Sequence, residues 1–441
     1  EVHMFWSLAL AGLLLAQADA PKSAAAEGGD DREAARKKLA EEVNRLINRY
    51  VRGDLTQKQQ VIQELLGKGP DILEVLPPVD ETTSADRKQL LAAVRPKLEK
   101  QLAEEAVKPT LITLKGEMPL AQAIESLQKQ SGNKIVDQRD EAPESNVRVD
   151  ISKTPFWQAL DGVLDVAGLT TNLYSDQPGI AIVPRPEGEL PQRDRRITYS
   201  GPFRIEATHV SARRSQRMAD RQIMQLGLEV AWEPRLSPIN VRVPVTSLKV
   251  TDDQGNPVGV AGEGVVESDI KPGWFGQELT IPLSLPGREV KKITSFKGSM
   301  DVLVPGRTST FKFEKLKRGD ADLRKPLATQ SQSGVEVVLH RIVQNGDVWQ
   351  VAVVLRFENA DGALASHRNW FYNNETYLLN SKGEKIEYNA YELYRRSENE
   401  VGLAYSYDLE NGPEGMTLIY KSPTLIMNLP VTFEIKDIEL P

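Results

Sequence analysis

Hydrophobic positions recur along the first quarter of the chain at three- and four-residue steps. Leu39, Val43, Leu46, Ile47 and Tyr50 form one apolar stripe, which predicts an amphipathic helix. Gly53 and Asp54 stop it. Val61, Ile62, Leu65 and Leu66 give a second stripe, closed by Gly67 and Gly69, and Pro77-Pro78 breaks the chain again. A third helix is expected over 85–106. Residues 32–107 therefore form a helical segment: a HEAT-like fragment or a plain bundle, with a coiled-coil spacer the weaker alternative because of the Gly and Pro breaks.

The pattern then changes and repeats. Leu111, Ile112 and Leu114 predict a short strand. Pro119 suits the first position of a helix, whose apolar face is Leu120, Ala123, Ile124 and Leu127 and whose end is Gly132. Ile135-Val136 gives a second strand. Val147, Val149 and Ile151 alternate as a third. Pro155 opens a helix with Phe156, Ala159, Leu160, Val163 and Leu164 on one face, and Gly168 ends it. Tyr174 and Ile180 to Val183 supply closing strands. Pro119 and Pro155, Ala123 and Ala159, and Gly132 and Gly168 share one offset of 36 residues. Residues 108–186 thus read as one β-α-β, β-α-β-β module with both helices on one face of a small sheet.

The segments "LITLKGEMPLAQAIESLQKQSGNKIV" and "VRVDISKTPFWQALDGVLDVAGLTTNLY", with "IAIVPRP" at the end, carry a family likeness. This module resembles the short N-terminal domain of secretins and TonB-dependent transducers. The resemblance covers residues 108–186 only. It implies a periplasmic interaction module that contacts partner proteins or neighbouring copies. No membrane β-barrel sequence of the size expected in those families follows, so here the module stands as a detached interaction domain.

Beyond a linker at 187–196, period-two alternation replaces helical periodicity. Leu228-Val230-Trp232, Val241-Val243-Val245 and Leu279-Ile281-Leu283 read as strands within 197–316. A second linker is expected at 317–334. Strands resume in 335–441, with Asn345-Gly346 a tight-hairpin signal. The two β segments share landmarks in order: His209 and His340, Trp232-Glu233 and Phe357-Glu358, the turns after Asp252 and Asn380, and Phe313-Glu314 and Phe433-Glu434. The fold class expected is multidomain, α+β and all-β, ending in two immunoglobulin-like β-sandwich domains.

Phe5 to Ala16 is almost wholly apolar and leads into Gln17-Ala18-Asp19-Ala20. Residues 1–18 read as a signal peptide cleaved after Ala18, with Ala20 the alternative site and an uncleaved anchor the alternative fate. Residues 19–31 follow as a flexible tether. The expected location is the periplasm or the extracellular space. No other apolar run is long enough to span a bilayer, so no transmembrane segment remains after signal removal.

Composition narrows the chemistry. The 441 residues carry 55 basic and 62 acidic side chains, a net charge of -7, which argues against nucleic acid as a partner. Cysteine is absent, which removes disulfides, thiolate metal sites and thiol nucleophiles. His209, His340 and His367 have no metal-site spacing and read as surface or edge-strand imidazoles. The glycines at 259, 262 and 264 lack a following helix, and Asp252, Asp253 and Asn256 read as a hairpin turn. No catalytic, cofactor or metal residues are assigned.

An arginine belt (Arg193, Arg195, Arg196, Arg204, Arg213, Arg214, Arg217, Arg221) suits an acidic polysaccharide, phospholipid headgroups or an acidic partner, with a solvated linker and a guarded sheet edge as its plainer role. Trp274, Trp370 and Tyr372 are the candidate ligand-stacking aromatics, with burial in a core as their plainer role. Trp370 and Tyr372 are expected on one face of a strand, with Phe371 on the other. The function expected is a non-catalytic exported envelope protein, a protein-interaction or scaffolding module with an envelope protein as partner. The alternative is a carbohydrate-binding envelope protein with a polysaccharide ligand; a carboxylate-based hydrolase ranks third.

Overall fold

The computed structural model describes residues 27–77, 83–139, 145–175, 177–217, 222–321, 325–332, 334–358, 364 and 370–441. The expected signal peptide with its Ala18 and Ala20 sites, Pro78, Arg221 and His367 lie outside them. The fold is mixed α+β and mostly β.

Three helices open the chain: α1 (Glu27–Arg52), α2 (Leu55–Gly67) and α3 (Ala85–Ala106). The start of α1 falls inside the stretch expected to be a tether. Its stripe packs Val43, Ile47 and Tyr50 against Val61 and Leu65 of α2 and Leu90, Val94 and Leu98 of α3. Asp54 caps α2 by accepting from the Gln57 N–H while Gln57 returns a bond to the Asp54 N–H, so the breaker is also the next initiator.

The module follows as β1 (Leu111–Pro119), α4 (Leu120–Ser131), β2 (Ile135–Asp137), β3 (Asn146–Pro155), α5 (Phe156–Ala167), β4 (Leu169–Asn172) and β5 (Ile180–Pro184). Gly132 and Gly168 both adopt left-handed φ angles, 71° and 69°, as C-caps. Each proline stands one position earlier than expected, as the N-cap. One small sheet is replaced by two: an antiparallel β1–β3 pair and a β2–β5–β4 sheet. In the β1–β3 pair, Leu111 faces Pro155 and Pro119 faces Asn146, so the 36-residue repeat closes on itself nearly symmetrically. Side chains of both helices and both sheets form a single core, with Ala123 and Ala159 fully buried.

Two β units complete the chain. The first contains β6 (Ile197–Ser200), β7 (Phe203–Arg214), β8 (Gln222–Trp232), β9 (Asn240–Pro244), β10 (Lys249–Asp252), β11 (Val265–Asp269), β12 (Gly276–Leu283) and β13 (Lys292–Phe313). The second contains β14 (Gly319–Asp320), β15 (Ala328–Gln332), β16 (Val335–Asn345), β17 (Val348–Phe357), β18 (Thr376–Leu379), β19 (Lys385–Glu387), β20 (Ala390–Arg396), β21 (Glu400–Tyr407) and β22 (Thr417–Glu439).

These strands build three sheets. One runs β12–β8–β7–β6, and another β14–β16–β17–β21–β20 with β15 on β16. Between them a shared sheet runs β11–β9–β13–β22–β18–β19, with β10 on β13. Strands β13 and β22 pair antiparallel from Lys292↔Glu439 to Phe313↔Leu418 and back both cores. Leu429, Val431 and Ile435 near the C-terminus are buried in the first core, while Phe311 and Phe313 enter the second. The pair bends at bulges around Arg307, where Leu102 of α3 packs close to Gly306 and Leu425.

The expected 317–334 linker is therefore not plain coil: β14 and β15 within it both pair with β16. The 187–196 linker is pinned as well, since the Gln192 and Arg193 N–H groups donate to Asp165 of α5. The shared landmarks of the two β segments have matching geometry. Asp252 Oδ1 accepts from the N–H groups two and four residues on, and Asn380 Oδ1 does the same. The strand pairs β7–β8 and β16–β17 each carry a bulge, at Thr208 beside His209 in the first and at His340 itself in the second.

Candidate functional site

Module and first β unit meet along a buried polar seam. Glu233, which directly follows β8, is completely buried. Its carboxylate accepts from the Thr110 N–H at 3.1 Å and hydroxyl at 2.7 Å, from Asn133 Nδ2 at 3.2 Å, and from Arg235 Nε at 2.8 Å. Arg235 also donates to the Lys108 carbonyl at 2.6 Å. One carboxylate thus gathers the exit of α3, the entry of β1 and the turn after α4. A buried carboxylate with so many donors is satisfied, and removing it would leave all of them without an acceptor.

A second cluster surrounds Arg204 on β7, whose side chain is 2% exposed. It meets Asp161 of α5 at 2.9 Å, Glu206 at 2.7 Å and Glu229 of β8 at 3.6 Å. Burial works against the guanidinium charge, but the three carboxylates outweigh it and hold it protonated. Tyr199 donates to Asp161 at 2.6 Å and Tyr174 to Glu229 at 2.7 Å. Burial pushes both phenols upward, and it raises the Glu229 carboxyl against the opposing pull of Tyr174 and Arg204. Trp157, fully buried at the start of α5, donates its indole N–H to the Pro202 carbonyl at 3.1 Å. Gly276 lies so close to Leu173 that an added Cβ would meet its side chain at 2.7 Å.

The β1–β3 pair is built differently. Ile112, Leu114, Val147 and Val149 turn inward, and Thr113, Lys115, Arg148 and Asp150 outward. The outer edge of β1 is partly covered: the Thr113 N–H donates to Gln130 Oε1 at 2.9 Å and Gln130 Nε2 donates to the Thr113 carbonyl at 3.0 Å. The amide of Gln130 stands in for a neighbouring strand. Among the described residues β3 pairs with β1 alone, so its outer edge has no strand beside it.

Where module and both β units converge lies a cleft of about 620 Å³. Lys134 and Pro178 line it from the module, Trp274 and Phe275 from the loop before β12, and Trp370, Glu375 and Lys421 from the second unit. Two of the three expected stacking aromatics, Trp274 and Trp370, are brought together here. Trp370 is 6% exposed and contributes mainly a wall, while Trp274 is half-buried. The Lys271 ammonium lies 5.0 Å from the Trp274 ring centroid, and Tyr174 meets that ring edge-on at 5.0 Å. Tyr372 is elsewhere, stacked on the exposed Tyr391 at 5.1 Å. Trp370 to Asn373 form a short 3₁₀ turn and not the expected strand.

The arginine belt divides. Arg204 is buried in the seam and Arg195 pairs with Glu189 and Glu206, while Arg193 stays exposed. His209 lies beside Glu278 at 3.3 Å and His340 stacks on Tyr394. Among the described residues no three His, Asp or Glu side chains gather in a metal-binding arrangement. The Glu233 hub and the Asp161–Arg204 pair were not singled out from the sequence as joint-forming residues. Glu233 was visible only as an acid closing an alternating strand. No family model matches this chain, and no curated protein or solved structure matches it either.

Proposed function

We propose that this chain is a non-catalytic exported envelope protein that holds a protein partner along the outer edge of β3. One observation carries the reading: the module is bound into the body by the Glu233 and Arg204 clusters, while the β3 edge has no strand beside it among the described residues. An unpaired strand edge offers a row of backbone donors and acceptors to an extended segment of another chain. The exposed Arg148 and Asp150 would then select among partners by charge. The resemblance of residues 108–186 to the short N-terminal domain of secretins and TonB-dependent transducers supports the same role. The sheets facing each other across each core support immunoglobulin-like sandwiches that act as a rigid mount.

Site-specific photo-crosslinking tests the partner reading. A photo-reactive residue at Asp150 in the full chain, in cells, should give a discrete protein adduct. The same residue at Lys382, on a turn of the second unit, should not. Equal adducts at both positions, or none at either, would overturn the proposal. Export is tested by fractionation with N-terminal sequencing, for which the expected product begins at Asp19. Recovery of the unprocessed chain from cytosol would overturn that part.

A further inference from the structure

The cleft at the three-way junction carries chemistry that a partner on β3 does not use. Trp274 is half-buried, and its indole N–H is buried with no acceptor among the described residues. The cleft is also locally basic within an acidic protein. Among the described residues, Lys134, Arg235, Lys271 and Lys421 line it against the single carboxylate of Glu375, although the whole chain has a net charge of -7. Glu375 answers Lys421 at 2.7 Å and the buried Glu233 answers Arg235 at 2.8 Å. Lys134 is exposed on the module side, while the Lys271 ammonium stands beside the Trp274 ring and has a partner of its own.

We infer that this cleft binds an acidic saccharide, its sugar ring packed against Trp274 and its carboxylate drawn to Lys134. Indole offers an apolar face to sugar C–H groups. A cationic lining concentrates an anion in a recess of this kind. The volume lies within the range of small-molecule sites. An acidic peptide fits less well. Extended peptides are held by backbone hydrogen bonds, and five lining residues are prolines, at 178, 234, 238, 272 and 423, which offer no N–H.

Calorimetric titration of the full chain tests this with tri-galacturonate and a hyaluronan tetrasaccharide as probes. At least one should bind saturably. Fully methyl-esterified tri-galacturonate, which keeps the skeleton and loses the charge, should bind at least about tenfold more weakly than tri-galacturonate if that is the ligand. Lys134→Gln, on an exposed position, should melt as wild type and weaken binding about tenfold. Trp274→Ala should abolish binding, and Trp274→Phe should retain part of it. The inference is overturned if neither acidic glycan binds, if the ester binds as well as its parent acid, or if Lys134→Gln leaves affinity unchanged. It is equally overturned if a Glu-Pro repeat peptide binds where the glycans do not. None of these residues lies on β3, so failure here leaves the partner reading intact, and failure of that reading leaves this one.

Discussion

Glu233 holds four donors from three parts of the chain, and its loss should be felt as a lost joint more than as a lost side chain. Glu233→Ala should destabilise the protein by about 3–5 kcal/mol, because the Arg235 charge and the Thr110 N–H would be left unpaired in the seam. A denaturant midpoint shifted by an equivalent of less than about 1 kcal/mol would contradict this. Glu229 acts in the opposite sense. Its carboxyl is raised by burial, so the folded state resists its ionisation. The stability it allows is complete below the unfolded glutamate value and is lost as pH rises through the folded one. Arg204 and Glu206 on β7, Glu278 on β12 and Tyr174 from the module face it. Glu229→Gln should therefore melt higher than wild type at pH 7, with the gap closing near pH ~4. A lower melting point at pH 7 would mean that the attraction of Arg204 outweighs burial. Neither role was legible beforehand, because alternation shows that a strand ends in an acid and not which chain segment meets it.

The module's helices were the most legible elements, for a physical reason. Pro and Gly act locally, through fixed φ and left-handed caps, so their marks survive without tertiary context. The fully buried Ala123 and Ala159 lie at matching places in the repeat. Ala123→Phe and Ala159→Phe should each destabilise the protein by roughly 1–3 kcal/mol through overpacking. Unchanged melting of both variants would contradict the shared core. The number of sheets was not legible, since a strand's periodicity does not name its neighbour. The Trp370 segment was misread for a related reason. Three consecutive aromatics satisfy strand alternation, but Trp370 and Phe371 are both buried, which adjacent residues of a one-face-exposed strand would not be. Asn374 then ties the segment down through bonds to Tyr420 and Ser422 at 3.0 and 3.2 Å.

At the scale of the whole molecule, β13 and β22 decide the architecture. The residues around 305–307 resemble a strand break, with Pro305 and Gly306 adjacent. In the fold they form a bend through which one strand pair serves two cores. A protease nick between 319 and 334 should therefore leave two fragments that co-elute in native gel filtration and separate only in denaturant. Separation without denaturant would contradict the shared sheet. The same integration fixes the module at its seam and sets which part of it faces outward, and this is the claim on which the partner reading depends. Hydrogen–deuterium exchange on the full chain tests it most directly. Amides that bridge the seam, those of Thr110 and Phe275, should exchange slowly, while those of β3 that point away from β1 at the far end of the β1–β3 pair, in 146–148, should exchange fast. A far end as protected as the seam would show that the edge is already covered, and a seam as fast as the far end would show that the module is not held; either result contradicts the account.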